Sequence, residues 1–131
     1  MNLALYLTPK ASVTCVDADA TVREAIERME EAGYTAVPVL DRDACYVGTV
    51  TEGDLLRFLL TGEDIDRTRV MDVPTRTENR AVPVVANVDT IVEVAMDQNF
   101  VPVVDSRGVL MGIVTRRTIL TVCYGRVGAR S

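Results

Sequence analysis

The chain repeats itself. Laid over itself with an offset of 64, Val37, Pro38, Val39 and Asp41 fall on Val101, Pro102, Val103 and Asp105, and Gly48, Val50, Thr51 and Leu56 fall on Gly112, Val114, Thr115 and Leu120. That is eight identities in the 24 positions from 37 to 60, too many for chance in so short a window. Upstream the offset that matches Thr21 and Glu24 to Thr90 and Glu93 is 69, which makes the second copy five residues shorter in its first helix. A duplicated unit of about 60 residues has too little core to stand alone, so the copies must bury their apolar faces against each other.

Each copy reads as β-α-β-β-α. A short strand opens it, SVTCV at 12–16 and VPVV at 82–85. An amphipathic helix follows, with Val22, Ala25, Ile26 and Met29 on one face and Glu27, Glu30 and Glu31 on the other. Thr21 with Glu24, and Thr90 with Glu93, have the spacing of capping boxes, while Gly33 and Asn99 are the expected helix stops. Apolar runs around Asp-Arg-Asp and Asp-Ser-Arg-Gly then predict hairpins, and second helices are expected at about 52–60 and 116–123. The fold class is therefore α/β, with repeats at 1–64 and 65–131 packed as a pseudo-twofold pair across a polar connector, 61–80.

The charge is uneven. Net charge is −5, but residues 1–65 carry −7 and residues 66–131 carry +2. An acidic chain argues against nucleic acid as the partner, while Arg116 and Arg117 mark a local basic point. Three cysteines without histidine or a CxxC pair argue against zinc and fit free thiols in a reducing cytoplasm. The N-terminal apolar run is too short for a signal peptide, and no run reaches the roughly 18 apolar residues of a membrane span. Met29, Met71, Met96 and Met111 are expected to fill core.

The doubled order, YTAVPVLD before the hairpin and VGTVTEGDLL after it, resembles a tandem pair of cystathionine-β-synthase (CBS) domains, the Bateman module, over nearly the whole chain. That resemblance implies an adenine nucleotide in the cleft between the copies, a sensory role without catalysis, and assembly into a flat homodimeric disc. It implies phosphate or ribose contact at Thr51 and a grip on the ribose hydroxyls at Asp54. In the second copy Thr115 matches, but Thr118 stands where the aspartate belongs. GYTAVPVLD, TRRTIL and Lys10 in PKAS are similar to bacterial stand-alone CBS pairs that bind cyclic di-AMP.

Physical chemistry gives each motif two readings. A threonine at the strand-helix junction is an N-cap, and a helix start with free N–H groups attracts anions. Thr51 with Asp54 is a capping box, or Asp54 is a carboxylate able to accept both vicinal hydroxyls of a ribose. Arg116 and Arg117 oppose the helix dipole at a cost of about 0.3–1 kcal/mol each. Bound phosphate would relieve that cost, as would ion pairs with the acidic first half. Thr35 and Ala36 leave room for a flat base and offer it backbone hydrogen bonds, and Tyr34 either stacks on it or packs as an ordinary strand residue. Lys10, Ser12 and Thr14 are candidate phosphate, ribose or base contacts, or plain surface residues. Gln98 and Phe100 replace Tyr34 and Ala36 in the second copy, so the two clefts are not equivalent.

Three functions compete. The first is a sensor of an adenine nucleotide, cyclic di-AMP or AMP, ADP or ATP, acting on a separate, unidentified protein. The second is a structural or dimerisation module with vestigial clefts. The third, an enzyme, lacks a histidine, an activated thiol and a P-loop.

Overall fold

The computed structural model describes residues 3–128, with side chains as far as Gly125. Six strands and four α-helices follow the doubled order, preceded by one extra strand: β1 Thr8–Pro9, β2 Val16–Asp17, α1 Val22–Ala32, β3 Ala36–Leu40, β4 Tyr46–Thr51, α2 Glu52–Leu60, β5 Val82–Pro83, α3 Val88–Ala95, β6 Phe100–Val104, β7 Leu110–Thr115 and α4 Arg116–Gly128. One sheet runs β2-β3-β4 and the other β1-β7-β6-β5.

Local signals explain most of the boundaries. Thr21 accepts the Glu24 backbone N–H at the start of α1. Gly33 ends that helix at φ 76°, a left-handed conformation in which glycine has no Cβ to clash. At Thr51 the capping box closes in both directions: Thr51 accepts the Asp54 N–H and Asp54 accepts the Thr51 N–H. The hairpins share one turn chemistry. Asp41 Oδ1 accepts the N–H groups of Asp43 and Cys45, and Asp105 Oδ1 those of Arg107 and Val109. The Arg107 backbone N–H, with further help from that of Val109, holds the Asp105 carboxyl below its ordinary range against a smaller opposing effect of desolvation.

The register upstream differs from the expected one. Val16 pairs with Val39 and Val82 with Val103, so the strands before the first helices are 66 residues apart. The N-cap of α3 is Asn87, which accepts the Thr90 N–H, and it too lies 66 residues from Thr21. Thr90 and Glu93 are therefore inside the helix, and α3 stops at Ala95 rather than near Asn99. It has 8 residues against the 11 of α1. Asparagine caps as well as threonine, and the Thr-x-x-Glu spacing recurs one turn late by coincidence. Residues 12–16 are also not a strand: Lys10–Ser12 form a 3₁₀ turn and only Val16 of that stretch pairs in a sheet. VPVV shortens to Val82–Pro83, and α4 runs on to Gly128. Of the four methionines expected in core, Met29 is buried, whereas Met71, Met96 and Met111 lie at the surface.

Each half has its own aliphatic core. Val22, Ala25 and Met29 of α1 meet Val37, Val39, Val50, Leu55 and Phe58, and in the second half Ile91 and Val94 meet Val101, Val103 and Val114. Two segments cross the expected boundaries of the repeats. Leu3 is buried in the second core and β1 pairs antiparallel with β7, while Val70 and Val73, which follow the first repeat, are buried in its core. Gly112 permits the first crossing, since a Cβ there would overlap the Thr8 carbonyl oxygen and the Leu7 side chain. The hairpins are joined by the Cys45–Val109 bridge, with Tyr46 N–H donating to Gly108 O and Leu110 N–H to Ala44 O. That join fixes the orientation of the two strand-to-helix junctions.

Candidate functional site

A cleft of about 400 Å³ opens between the halves. Its walls are Ser12, Val13, Thr14, Tyr34, Thr35, Ala36 and Pro38 from the first half, Asn99, Phe100, Ile113 and Thr115 from the second, and Thr8 from the strand that crosses. No lining side chain is charged. The apolar floor suits a flat ring, and the rim of hydroxyls, one amide and the peptide edges at Tyr34–Ala36 can hydrogen-bond its polar edge. Tyr34 reaches this wall because the left-handed Gly33 turns the chain out of α1, and it stays 52% exposed with its ring available.

Five of the ten expected site residues thus meet in one place: Ser12, Tyr34, Thr35, Ala36 and Thr115. The other five do not line it. Lys10 borders a separate hollow with Asp17, Asp19, Asp41 and Arg42, a setting of mostly acidic neighbours. Thr51 and Asp54 lie at the start of α2, and Asp54 is 3% exposed. Its carboxylate accepts from the Thr51 N–H, the Arg57 guanidinium and the Arg76 backbone N–H. With Glu52 N–H donating to Thr35 O and Asp54 N–H to the Thr51 hydroxyl, three backbone donors of that helix start, those of Thr51, Glu52 and Asp54, have partners within the chain.

Arg116 bonds to the protein itself. Its Nε donates to Ala95 O and its terminal nitrogen to Met96 O, at 3.1 and 3.2 Å. Those are carbonyls at the C-terminal end of α3, where positive charge is favoured, so the cost at the start of α4 is offset there. Both partners belong to the second half, so Arg116 makes no ion pair with the acidic first half. Arg117 is exposed and makes no ion pair among the described residues. Thr115 caps α4 by accepting the Thr118 N–H, and its hydroxyl donates to that of Thr118, so a hydroxyl pair stands where a threonine and a carboxylate were expected.

Asn99, Thr8, Val13, Pro38 and Ile113 also belong to the cleft and were not expected there from the sequence. For Asn99 a signal existed: at an offset of 64 it is the counterpart of Thr35. Its expected role as a helix stop hid it.

Nothing among the described residues groups three or more metal-ligating side chains, and no helix is long and apolar enough to cross a membrane.

The model of the CBS domain matches residues 7–61 and again 70–125. The chain is 28% identical to the CBS domain-containing protein CBSX1, chloroplastic, of Arabidopsis thaliana over 88% of its length, and it spans 61% of that relative. Among solved structures, the CbpB protein of Listeria monocytogenes in complex with c-di-AMP superposes with a TM-score of 0.84 at 26% identity, covering 98% of this chain and 99% of that one. CBSX2 in complex with AMP superposes with a TM-score of 0.75 at 25% identity, covering 95% and 96%. With both copies matched and a cleft at their seam, the chain belongs to the CBS-domain family as a tandem pair, and it resembles the stand-alone CBS pairs that bind cyclic di-AMP.

Proposed function

We propose that this protein is a nucleotide-sensing regulatory module that holds the adenosine part of a ligand in the cleft between its halves and passes the bound state to a separate protein. The observation that carries this reading is the convergence of Tyr34, Thr35 and Ala36 from one copy with Asn99 and Thr115 from the other around an uncharged cavity of about 400 Å³. A base lies against Tyr34 with its edge on the peptide groups of Thr35 and Ala36, and sugar hydroxyls meet Thr14, Asn99 and Thr115. The phosphates face the rim, where the exposed Arg117 meets them. Cyclic di-AMP is the first candidate and AMP, ADP and ATP the others, in keeping with the ligands of the Listeria and CBSX2 structures.

The module works in the bacterial cytoplasm as a homodimer and takes no catalytic part. The face for a second copy is the hollow over α1 and α2, where Ile26, Met29, Leu55, Leu56 and Leu59 are rimmed by Glu30 and Glu52. A second reading, a structural module with vestigial clefts, is favoured by the engagement of Asp54 and Arg116 with protein groups.

Thermal shift against AMP, ADP, ATP, S-adenosylmethionine and cyclic di-AMP separates the two. A ligand at 100 times its Kd adds about 2.7 kcal/mol. The sensor reading expects one adenine nucleotide to raise Tm, with Tyr34→Ala weakening it at unchanged basal Tm and Arg117→Ala weakening the charged ligands most. If no nucleotide moves Tm at millimolar concentration, the module is structural.

A further inference from the structure

The two copies should present two clefts, yet the structure treats them differently. With upstream elements 66 residues apart and hairpins 64 apart, the counterparts of Thr14, Tyr34 and Ala36 are Arg80, Gln98 and Phe100. In the open cleft Thr14 and Tyr34 face a cavity, and Tyr34 is half exposed. At the counterpart positions Gln98 is 4% exposed and clamps Arg80 from both sides: its Oε1 accepts the Arg80 N–H at 2.7 Å, and its Nε2 donates to Arg80 O and to Phe100 O, each at 3.0 Å. Phe100 is buried and lines the open cleft from the second half, opposite Ala36's side of the repeat.

We infer that the second cleft is closed at the position of the base by the chain's own connector, with Gln98 as the closing residue, so that the module takes at most one nucleotide per chain; what is left on that side is a smaller hollow of about 240 Å³ at Thr49, Glu78 and Asn79, the counterparts of Ile113, Ser12 and Val13. The amide of Gln98 suits this task because it offers donor and acceptor together and satisfies both polar groups of one peptide residue. Two further contacts hold the same segment: Asp54 accepts the Arg76 N–H, and the Tyr46 hydroxyl donates to Asn79 O at 2.9 Å. Asp54, the residue that would grip a ribose on that side, is thereby a latch on residue 76. The closure rests on this geometry alone, whereas the limit of one ligand also rests on the sensor reading.

Two measurements test it. Isothermal titration calorimetry with cyclic di-AMP, and separately with AMP, is expected to give no more than one site per chain, and two sites per chain would overturn the inference. Amide hydrogen exchange needs no ligand. The Arg80 amide is expected to exchange at least tenfold more slowly than the amides of Thr75 and Glu78, and Gln98→Ala to abolish that difference while the Val101 and Val103 amides stay protected. An Arg80 amide that exchanges at the rate of its connector neighbours in the parent overturns the closure. If neither nucleotide binds, the sensor reading fails, and exchange at Arg80 still decides whether the cleft is closed.

Discussion

The Arg116 guanidinium is bonded to the Ala95 carbonyl oxygen at 3.1 Å, so the first residue of α4 caps the end of α3. A residue that looks misplaced on its own helix is well placed on its neighbour. Arg116→Ala should therefore lower Tm by a few degrees, corresponding to about 1–2 kcal/mol, through two lost charge-assisted bonds and the uncovered end of α3. Arg117→Ala should stay within about 0.5 kcal/mol of the parent. Thermal denaturation of the two variants side by side checks this, and equal losses would contradict it.

Gly112 and Gly48 occupy the same place in the two copies, but only Gly112 is crossed by another strand. Gly112→Ala forces the new methyl group into Thr8 O and Leu7, and is expected to cost about 1–3 kcal/mol and to release β1. Gly48→Ala meets nothing within 4 Å and should change stability little. Chemical denaturation gives the two free energies, and faster amide exchange in β7 reports the release of β1.

Ala44 and Gly108 end equivalent turns, both with positive φ, at 64° and 84°. Alanine in the left-handed region costs about 1–2 kcal/mol, and glycine returns part of that gain as chain entropy. Ala44→Gly is expected to stabilise the protein by about 0.5–1 kcal/mol, read as a rise in Tm.

Tyr46 sits under the connector, and burial pushes its phenol up to about 12 from the ordinary 10.0, with the Thr49 hydrogen bond opposing. A folded pKa above the unfolded one means that the folded state holds the proton more tightly. The stability this contributes is whole below pH 10 and is lost as pH rises from about 10 to about 12. Denaturation midpoints across that window should fall more steeply for the parent than for Tyr46→Phe, which also loses about 1 kcal/mol at neutral pH with its hydroxyl contacts. Phenolate absorbance should show a late-titrating tyrosine in the parent that Tyr46→Phe removes.

Where causes lay within a few residues, the sequence was legible. Thr21, Gly33 and the box Thr51–Asp54 declared the ends of α1 and α2 because caps act over three or four positions. Asp41 and Asp105 declared the hairpin turns for the same reason. Local reasoning misled where a pattern recurred without its context, as when Thr90 and Glu93 imitated a cap one turn past Asn87. Five of the ten expected residues, Ser12, Tyr34, Thr35, Ala36 and Thr115, line the cleft, since they sit on strand ends and turns that the repeat itself locates.

By itself, then, the amino-acid order determined a duplicated α/β chain and the threonine that begins each second helix, because periodicity and capping are short-range properties, whereas the expected burial of one copy against the other gave way to a separate aliphatic core in each half. Only the tertiary structure decided what each polar group does. It gave Asp54 to Arg76 and Arg116 to Ala95, sent β1 across to β7, and tied Gln98 to Arg80 in the second half while its counterpart Tyr34 stays half exposed on the open cleft. The physical reason is that a polar or charged group near the interior takes whichever partner the fold brings within about 3 Å, and sequence distance does not enter that choice.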